Sequence, residues 1–357
     1  MSVISIKQSK NYECDMQNDL LNAWEELGFT GLFKKKRTVL IKANVAGPFP
    51  PAQAATTNPQ IIRSIARAVR RLGSFPIIGD GPNSNQDCFK ICGYEKIAKE
   101  ESIPLLKFAR HTLKEVKGGY LEAVEYADEV LDADIVINAP KLKTHALVNY
   151  TGAVKNMFGA VQPKQRKKMH IHNDPDYFAN ILLDVFNVRI PEMHVMDAIV
   201  GMEGMGPTHG VPRQIGGVFC STDGLALDLF CTTLIGYPKE DVPQHNASIK
   251  RGMLSIADAD GLTLLGDPPP VVEDFRLIPQ VKPEMKSRYL KMAMGSPIFL
   301  TDRCISCGLC ADVCPNDAID FFDKYPKVQA KLCINCYCCN ELCPVGAVNF
   351  ESHGFSR

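Results

Sequence analysis

Two cysteine quartets near the C-terminus constrain this chain more than anything else in it. They are Cys304, Cys307, Cys310 and Cys314, then Cys333, Cys336, Cys339 and Cys343. Both are spaced C-x2-C-x2-C-x3-C, and each is followed by a proline, Pro315 or Pro344. In that pattern three thiolates wrap one face of an iron–sulfur cube, while the fourth reaches across to a second cluster. The spacing therefore assigns Cys304, Cys307, Cys310 and Cys343 to one 4Fe–4S cluster, and Cys333, Cys336, Cys339 and Cys314 to the other. Zinc knuckles, the competing use, present two CxxC pairs across a longer loop rather than four cysteines in eleven residues, twice.

The remaining composition bounds the setting. The 357 residues carry 40 basic and 40 acidic side chains, so no bulk field recruits nucleic acid or a membrane surface. The N-terminus lacks a basic stretch followed by an apolar one, so no signal peptide is expected. No apolar run nears the roughly 18 residues that span a bilayer. Clusters need reduced thiolates, which points to a cytoplasmic protein of an anaerobic or low-oxygen cell. Zero net charge is compatible with a homodimer. Cys88 and Cys92 read as small buried side chains. Cys338, adjacent to a ligand and pointing away from it, reads as a bystander.

Three regions are expected: an α/β domain over 1–270, a proline-rich linker over 271–294, and a small α+β ferredoxin-like di-cluster domain over 295–357. The two halves of the last repeat each other 29 residues apart. In the first region, apolar strand-like runs at 38–44, 75–80, 104–108, 133–140, 192–200 and 216–222 alternate with helical patterns at 59–73, 174–189 and 223–236. Such alternation predicts an α/β fold, a mostly parallel sheet with helices on both faces.

Ligands of open α/β sheets sit beyond the carboxyl ends of the strands. Polar residues collect at these ends: Lys42 and Asn44; Asp80, Asn83, Ser84 and Asn85; Lys141, Lys143 and His145; Glu203 and His209; and Asp223. The segment 141–173 has no acid but seven cations, Lys141, Lys143, Lys155, Lys164, Arg166, Lys167 and Lys168, together with His145, His170 and His172. A concentrated positive field of this kind attracts a small anionic ligand and stabilises negative charge formed in a reaction. His170 and His172 alternate, so on a strand they would share a face as proton donors or metal ligands. The glycine-rich GMEGMGP at 201–207 forms either an anion nest or a turn, and no dinucleotide or Walker fingerprint is present.

APKLKTH at 139–145, TGAVKNMFG at 151–159, DAIVGMEGMGP at 197–207 and STDGLALD at 221–228 resemble the prokaryotic domain-of-unknown-function family 362. Many members end in a two-cluster module, and CINCYCCNELCP, with its extra Cys338, is similar to theirs. Gly224 departs from the family's usual proline. The resemblance implies the α/β architecture and a distant likeness to the N-terminal region of nickel-pincer lactate racemases; Lys42, Asn44, Lys155, Asn156 and Glu203 are the candidate cofactor-binding residues. Lys141, Lys143, His145, His170 and His172 are the candidate catalytic set. The expected function is a ferredoxin-coupled oxidoreductase acting on a small anionic substrate or cofactor, with ferredoxin or flavodoxin as electron partner. An electron-transfer or metallocofactor-maturation protein is the alternative, and a pincer-type isomerase the third reading. An additional cofactor or metal beyond the two clusters is left open.

Overall fold

The computed structural model describes residues 2–82, 84, 87–172, 174–254, 261–278 and 295–350. Its strands are β1 (Val3–Gln8), β2 (Thr38–Lys42), β3 (Phe75–Asp80), β4 (Leu105–Lys107), β5 (His111–Glu115), β6 (Ala123–Ala127), β7 (Ile135–Asn138), β8 (Lys141–His145), β9 (Asn149–Thr151), β10 (Met193–Glu203), β11 (Val211–Ser221), β12 (Thr263–Leu265), β13 (Pro297–Phe299), β14 (Ile319–Phe322), β15 (Tyr325–Val328) and β16 (Val348–Phe350). Ten form one sheet, ordered β12-β1-β11-β10-β7-β2-β3-β4, with β8 beside β10 and β9 beside β8. The run from β10 through β7, β2 and β3 to β4 is parallel. Strand β11 lies antiparallel to both β10 and β1.

Successive residues of a strand face opposite sides of a sheet, and β2 shows what covers each side. Val39 and Ile41 join a core with Leu20 and Trp24 of helix Gln17–Glu26 and with Ile62, Ile65 and Val69 of helix Pro59–Arg71. Leu40 joins the opposite core with Phe178 and Leu182 of helix Pro175–Val188. Burial of each such side chain contributes about 1.5–3 kcal/mol, so the sheet is secured from both faces.

Helix starts follow local chemistry. Asn58 and Asp174 cap by accepting from the backbone N–H of Gln60 and Tyr177, and a proline follows each at the first helical position. Asp223 accepts from Leu225 and Ala226 N–H to cap helix Gly224–Leu234. Its carboxylate, expected at a ligand pocket, is engaged in the cap.

The segment Lys141–His145, expected as loop, is the strand β8. Its Lys-x-Lys-x-His alternation has the period of a strand, and it pairs with β10 at Asp197 and Met202. The proline-rich connection is described as far as Ile278, with Phe275 and Ile278 buried. The rest of that expected linker, and Asn83 and Asn85, lie outside the described residues.

In the C-terminal module β13 pairs with β16 and β14 with β15, both antiparallel. The repeat seen in the sequence is a backbone repeat as well. Left-handed residues recur 29 positions apart, at Ser306 (φ 55°) and Asn335 (54°), Gly308 (80°) and Tyr337 (62°), and Asp317 (48°) and Gly346 (60°). These tight turns wind each cysteine loop around a central space.

Candidate functional site

The eight quartet cysteines sort around two small cavities. One is lined by Cys304, Cys307, Cys310 and Cys343, with Phe299, Leu309 and Val348 among its walls. The other is lined by Cys314, Cys333, Cys336 and Cys339, with Ile319, Val328 and Ile334. Each holds three cysteines from one loop and the fourth from the other. Backbone N–H groups already point at sulfur: Ser306 to Cys304 Sγ (3.4 Å), Ala318 to Cys314 Sγ (3.2 Å) and Ala347 to Cys343 Sγ (3.1 Å). Such hydrogen bonds stabilise thiolate sulfur. Burial pushes the Cys310 thiol up to about 12, so a thiolate there calls for a compensating cation. The donor set, apolar walls and N–H groups fit an iron–sulfur cluster.

A third cavity, of about 150 Å³, lies between the sheet and this module. Lys42, Asn44, Lys143, Lys155, Asn156, Arg166 and His170 line it from the sheet side, and Cys338, Glu341 and Leu342 from the module. Lys42 Nζ is 2.6 Å from Asp80 Oδ1, and both side chains are buried. Asp80 Oδ2 accepts from Val45 N–H at 2.6 Å, which fixes the loop after β2. Gly159 permits this pairing, since a Cβ there would stand 2.8 Å from both Lys42 Nζ and Asp80 Oδ1.

Lys143, at 2% exposure, donates to Ala55 O at 2.6 Å. Burial and then the neighbouring Lys155 and Lys141 bring its ammonium down to about 7, against the pull of Glu341 and Asp80. Lys155 Nζ stands over Phe158 (5.7 Å) and Phe178 (5.8 Å), lowered by burial and countered by Glu341. Its helix, Ala153–Asn156, is anchored by Asp228, which accepts from Ala153 and Val154 N–H at 2.6 and 2.9 Å. Gly152 makes room for that carboxylate: a Cβ would lie 2.2 Å from Asp228 Oδ1. The TGAVKN and LALD motifs therefore act together to aim Lys155 and Asn156.

Two acids oppose these cations. Asp80 is matched to Lys42, and Glu341 is raised to about 7 by burial against the pull of Lys155 and Lys143. Lys143, Lys155 and Arg166 thus face one carboxylate, and the cavity is electropositive. His170 is brought down to about 4 by burial, opposed by its hydrogen bond to Arg166 O. Its Nδ1–H donates to that carbonyl at 2.8 Å, so at neutral pH the ring is an uncharged base rather than a proton donor. His145 stands one step back. Its Nδ1 accepts from Leu147 N–H at 3.1 Å, which puts the proton on Nε2, 3.6 Å from Glu341 Oε1.

Three expected site residues are elsewhere. Lys141 is buried against Asp197 (2.9 Å) and Tyr12 Oη (2.8 Å), a closed ion pair away from the cavity. Glu203 bonds Arg276 Nε at 2.8 Å and accepts from its backbone N–H, pinning the chain leaving the sheet. His172 is exposed, its ring 4.5 Å from Tyr177. It follows a helix end and shares no strand face with His170. Among the described residues no three His, Cys, Asp or Glu side chains are placed to hold a single metal ion. Cys338 stands outside both quartets, as expected, but lines the electropositive cavity. Glu341 went unread because a lone acid between two ligand cysteines carries no pattern of its own.

The glycine-rich loop after β10 makes the junction. Thr208 Oγ1 donates to Glu341 O at 2.6 Å and His209 Nε2–H to Asn340 O at 2.7 Å. Lys167 reaches Asp317 at 2.7 Å.

Fold and cysteine centre together define an iron–sulfur protein in which an α/β sheet domain carries a 4Fe–4S binding domain; the family model of that binding domain matches residues 297–320. The chain belongs to the family described as domain of unknown function DUF362, whose model matches residues 39–233. It is 30% identical over 284 residues, 78% of this chain and 88% of the relative, to the thylakoid-associated protein sll1697 of Synechocystis sp.. Among solved structures it resembles the lactate racemase apoprotein from Thermoanaerobacterium thermosaccharolyticum, at TM-score 0.43 and 12% identity over 66% of this chain and 57% of that one. A Thermotoga maritima protein from structural genomics gives 0.38 and 11%, over 59% and 56%. The chain thus spans little more than half of either structure. Among the described residues no helix is long and apolar enough to cross a membrane.

Proposed function

We propose that this chain is a cytoplasmic, ferredoxin-coupled oxidoreductase that binds a small anionic substrate or cofactor in the electropositive cavity. The observation that carries the reading is the composition of the cavity walls. Lysines and an arginine of the sheet domain face the helix Cys338–Glu341 of the cysteine module, which bears the second quartet's Cys339. A ligand held there lies beside the electron supply.

Two 4Fe–4S clusters, each held by three cysteines of one loop and the fourth of the other, would supply electrons singly from a carrier such as ferredoxin or flavodoxin. Lys143, Lys155 and Arg166 hold the anion and offset negative charge that develops on it. The Lys42–Asp80 pair holds the loop of Asn44 in place. His170, uncharged, can take up a proton at Nε2, while the His145 ring lies 3.6 Å from Glu341 Oε1.

The test uses protein purified without oxygen. About eight irons and eight sulfides per chain are expected for two cubanes. After reduction with dithionite, inorganic phosphate should alter the paramagnetic resonance of one cluster, and Lys143→Met with Lys155→Met should remove that response without removing iron. A spectrum indifferent to saturating phosphate, or about four irons per chain, would defeat the proposal.

A further inference from the structure

The two cysteine loops repeat each other 29 residues apart, so each residue of one has a partner in the other. Where partners differ in their surroundings, the two sides of the module face different things. Val313 and Leu342 are partners, each standing before a quartet's last cysteine, and both line the electropositive cavity. They do not distinguish the sides. Cys338 and Leu309 are partners too, and they do. Cys338 lines the electropositive cavity, with its Sγ 3.9 Å from the carbonyl oxygen of Cys336. Leu309 instead lines the cavity of Cys304, Cys307, Cys310 and Cys343. Likewise Glu341 lines the electropositive cavity, while its partner Asp312 is exposed.

Exposure differs in the opposite sense. Three apolar walls of the Cys304 cavity reach solvent: Ile305 is 55% exposed, Val345 40% and Phe321 38%. Ile334 and Asn316, the partners of Ile305 and Val345, are only half-buried. No residue lining the cavity of Cys314, Cys333, Cys336 and Cys339 is exposed. The cysteines themselves are matched: Cys304, Cys307, Cys333 and Cys336 are half-buried, and the other four are buried. The asymmetry therefore lies in the walls around the ligands, which control solvent access to a cluster.

We propose that the two sets of cysteines have different tasks. Cys314, Cys333, Cys336 and Cys339 form the inner set, beside the ligand. Cys304, Cys307, Cys310 and Cys343 form the outer set, where electrons are exchanged with the carrier. Electron transfer weakens steeply with distance, so a carrier confined to the surface reacts at the set whose walls are exposed. One electron leaves the reduced carrier, which is thereby oxidised, and passes from the outer set to the inner. The assignment rests on the reading of the electropositive cavity as an anion site beside the electron supply, and it adds an order to that supply.

Paramagnetic resonance of the anaerobic full-length protein, partly reduced with dithionite, tests the order. Cys304→Ser marks the outer signal and Cys333→Ser the inner one, since each replaces a ligand of a single set. Whether serine shifts a signal or costs the cluster, the unaltered signal belongs to the other set. In the wild type, inorganic phosphate should shift the inner signal. A neutral gadolinium chelate in solution should speed relaxation of the outer signal more than that of the inner. Phosphate acting on the outer signal, or on both alike, would overturn the order and leave the anion site standing. Equal relaxation of both signals by the chelate would overturn the outer assignment. If phosphate moves neither signal, the anion reading falls and the inner assignment falls with it.

Discussion

At the scale of single residues, Lys141 and Lys143 show how far identity and spacing can carry a reading. Two apart on β8, both are buried at 2% exposure, and the sequence gives no ground for separating them. Partners separate them: Asp197 and Tyr12, 56 and 129 residues away, close around Lys141, while among the described residues Lys143 has the carbonyl of Ala55 and the cavity. Removing Lys141 leaves Asp197 buried without its counter-charge, so Lys141→Met should cost about 3–5 kcal/mol of stability, measured by urea unfolding under argon, with little effect on anion affinity. Lys143 should behave in the opposite way. Its ammonium sits at about 7 because burial disfavours the charged form, so it is charged below that pH and neutral above it. Glycolate keeps one charge from pH 6 to 8, and its affinity should fall as pH rises through about 7. In Lys143→Met the affinity should be lower and the slope shallower, with Glu341, raised to about 7 by burial, supplying the slope that remains. A wild-type profile without a slope would remove Lys143 from the site.

At the scale of elements, much was legible. The pattern of β3 matched its strand residue for residue, and the helices Pro59–Arg71, Pro175–Val188 and Gly224–Leu234 begin within a residue of their sequence signals, because capping and proline chemistry is local. Strands β1 and β12 and the hairpin β5–β6 were missed. Edge position for β12 and half-exposure for β5–β6 leave them without the continuous apolar run that marks β2 and β7, and in β1, inside the sheet, Ser5 and Lys7 interrupt such a run. The cysteine loops were the most legible element, since ligand spacing is itself geometry. Their crossed sorting makes a sharp prediction for iron content. Cys304→Ser with Cys343→Ser strikes one cavity and should leave about four irons per chain. Cys304→Ser with Cys314→Ser strikes both and should leave almost none. The reverse result would mean that each loop fills its own site.

At the scale of the molecule, the cavity is a property of the junction, and no local pattern announces a junction. Its walls come from the ends of β2 and β3, from β8, from the stretch 151–170 and from a helix more than 130 residues beyond β10. What holds those walls together decides whether the ligand and the cysteine module sense each other. The bridge from Lys167 to Asp317 is a weak candidate, since the Asp317 side chain is 84% exposed and such pairs contribute about 0–1 kcal/mol. The bonds from Thr208 and His209 to the carbonyls of Glu341 and Asn340 are better placed, because they fix the helix that carries Cys338, Cys339 and Glu341. Replacing both, Thr208→Val with His209→Ala, should leave iron content unchanged, since neither residue lines a cysteine cavity. It should weaken anion binding about tenfold, one or two hydrogen bonds' worth of wall, and abolish the response of the cluster resonance to phosphate. Asp317→Asn, which breaks the bridge and leaves the cavity-lining Lys167 in place, should do neither. If the double variant still couples anion to resonance as the wild type does, the two sites communicate by another path, and the loop after β10 only tethers the module.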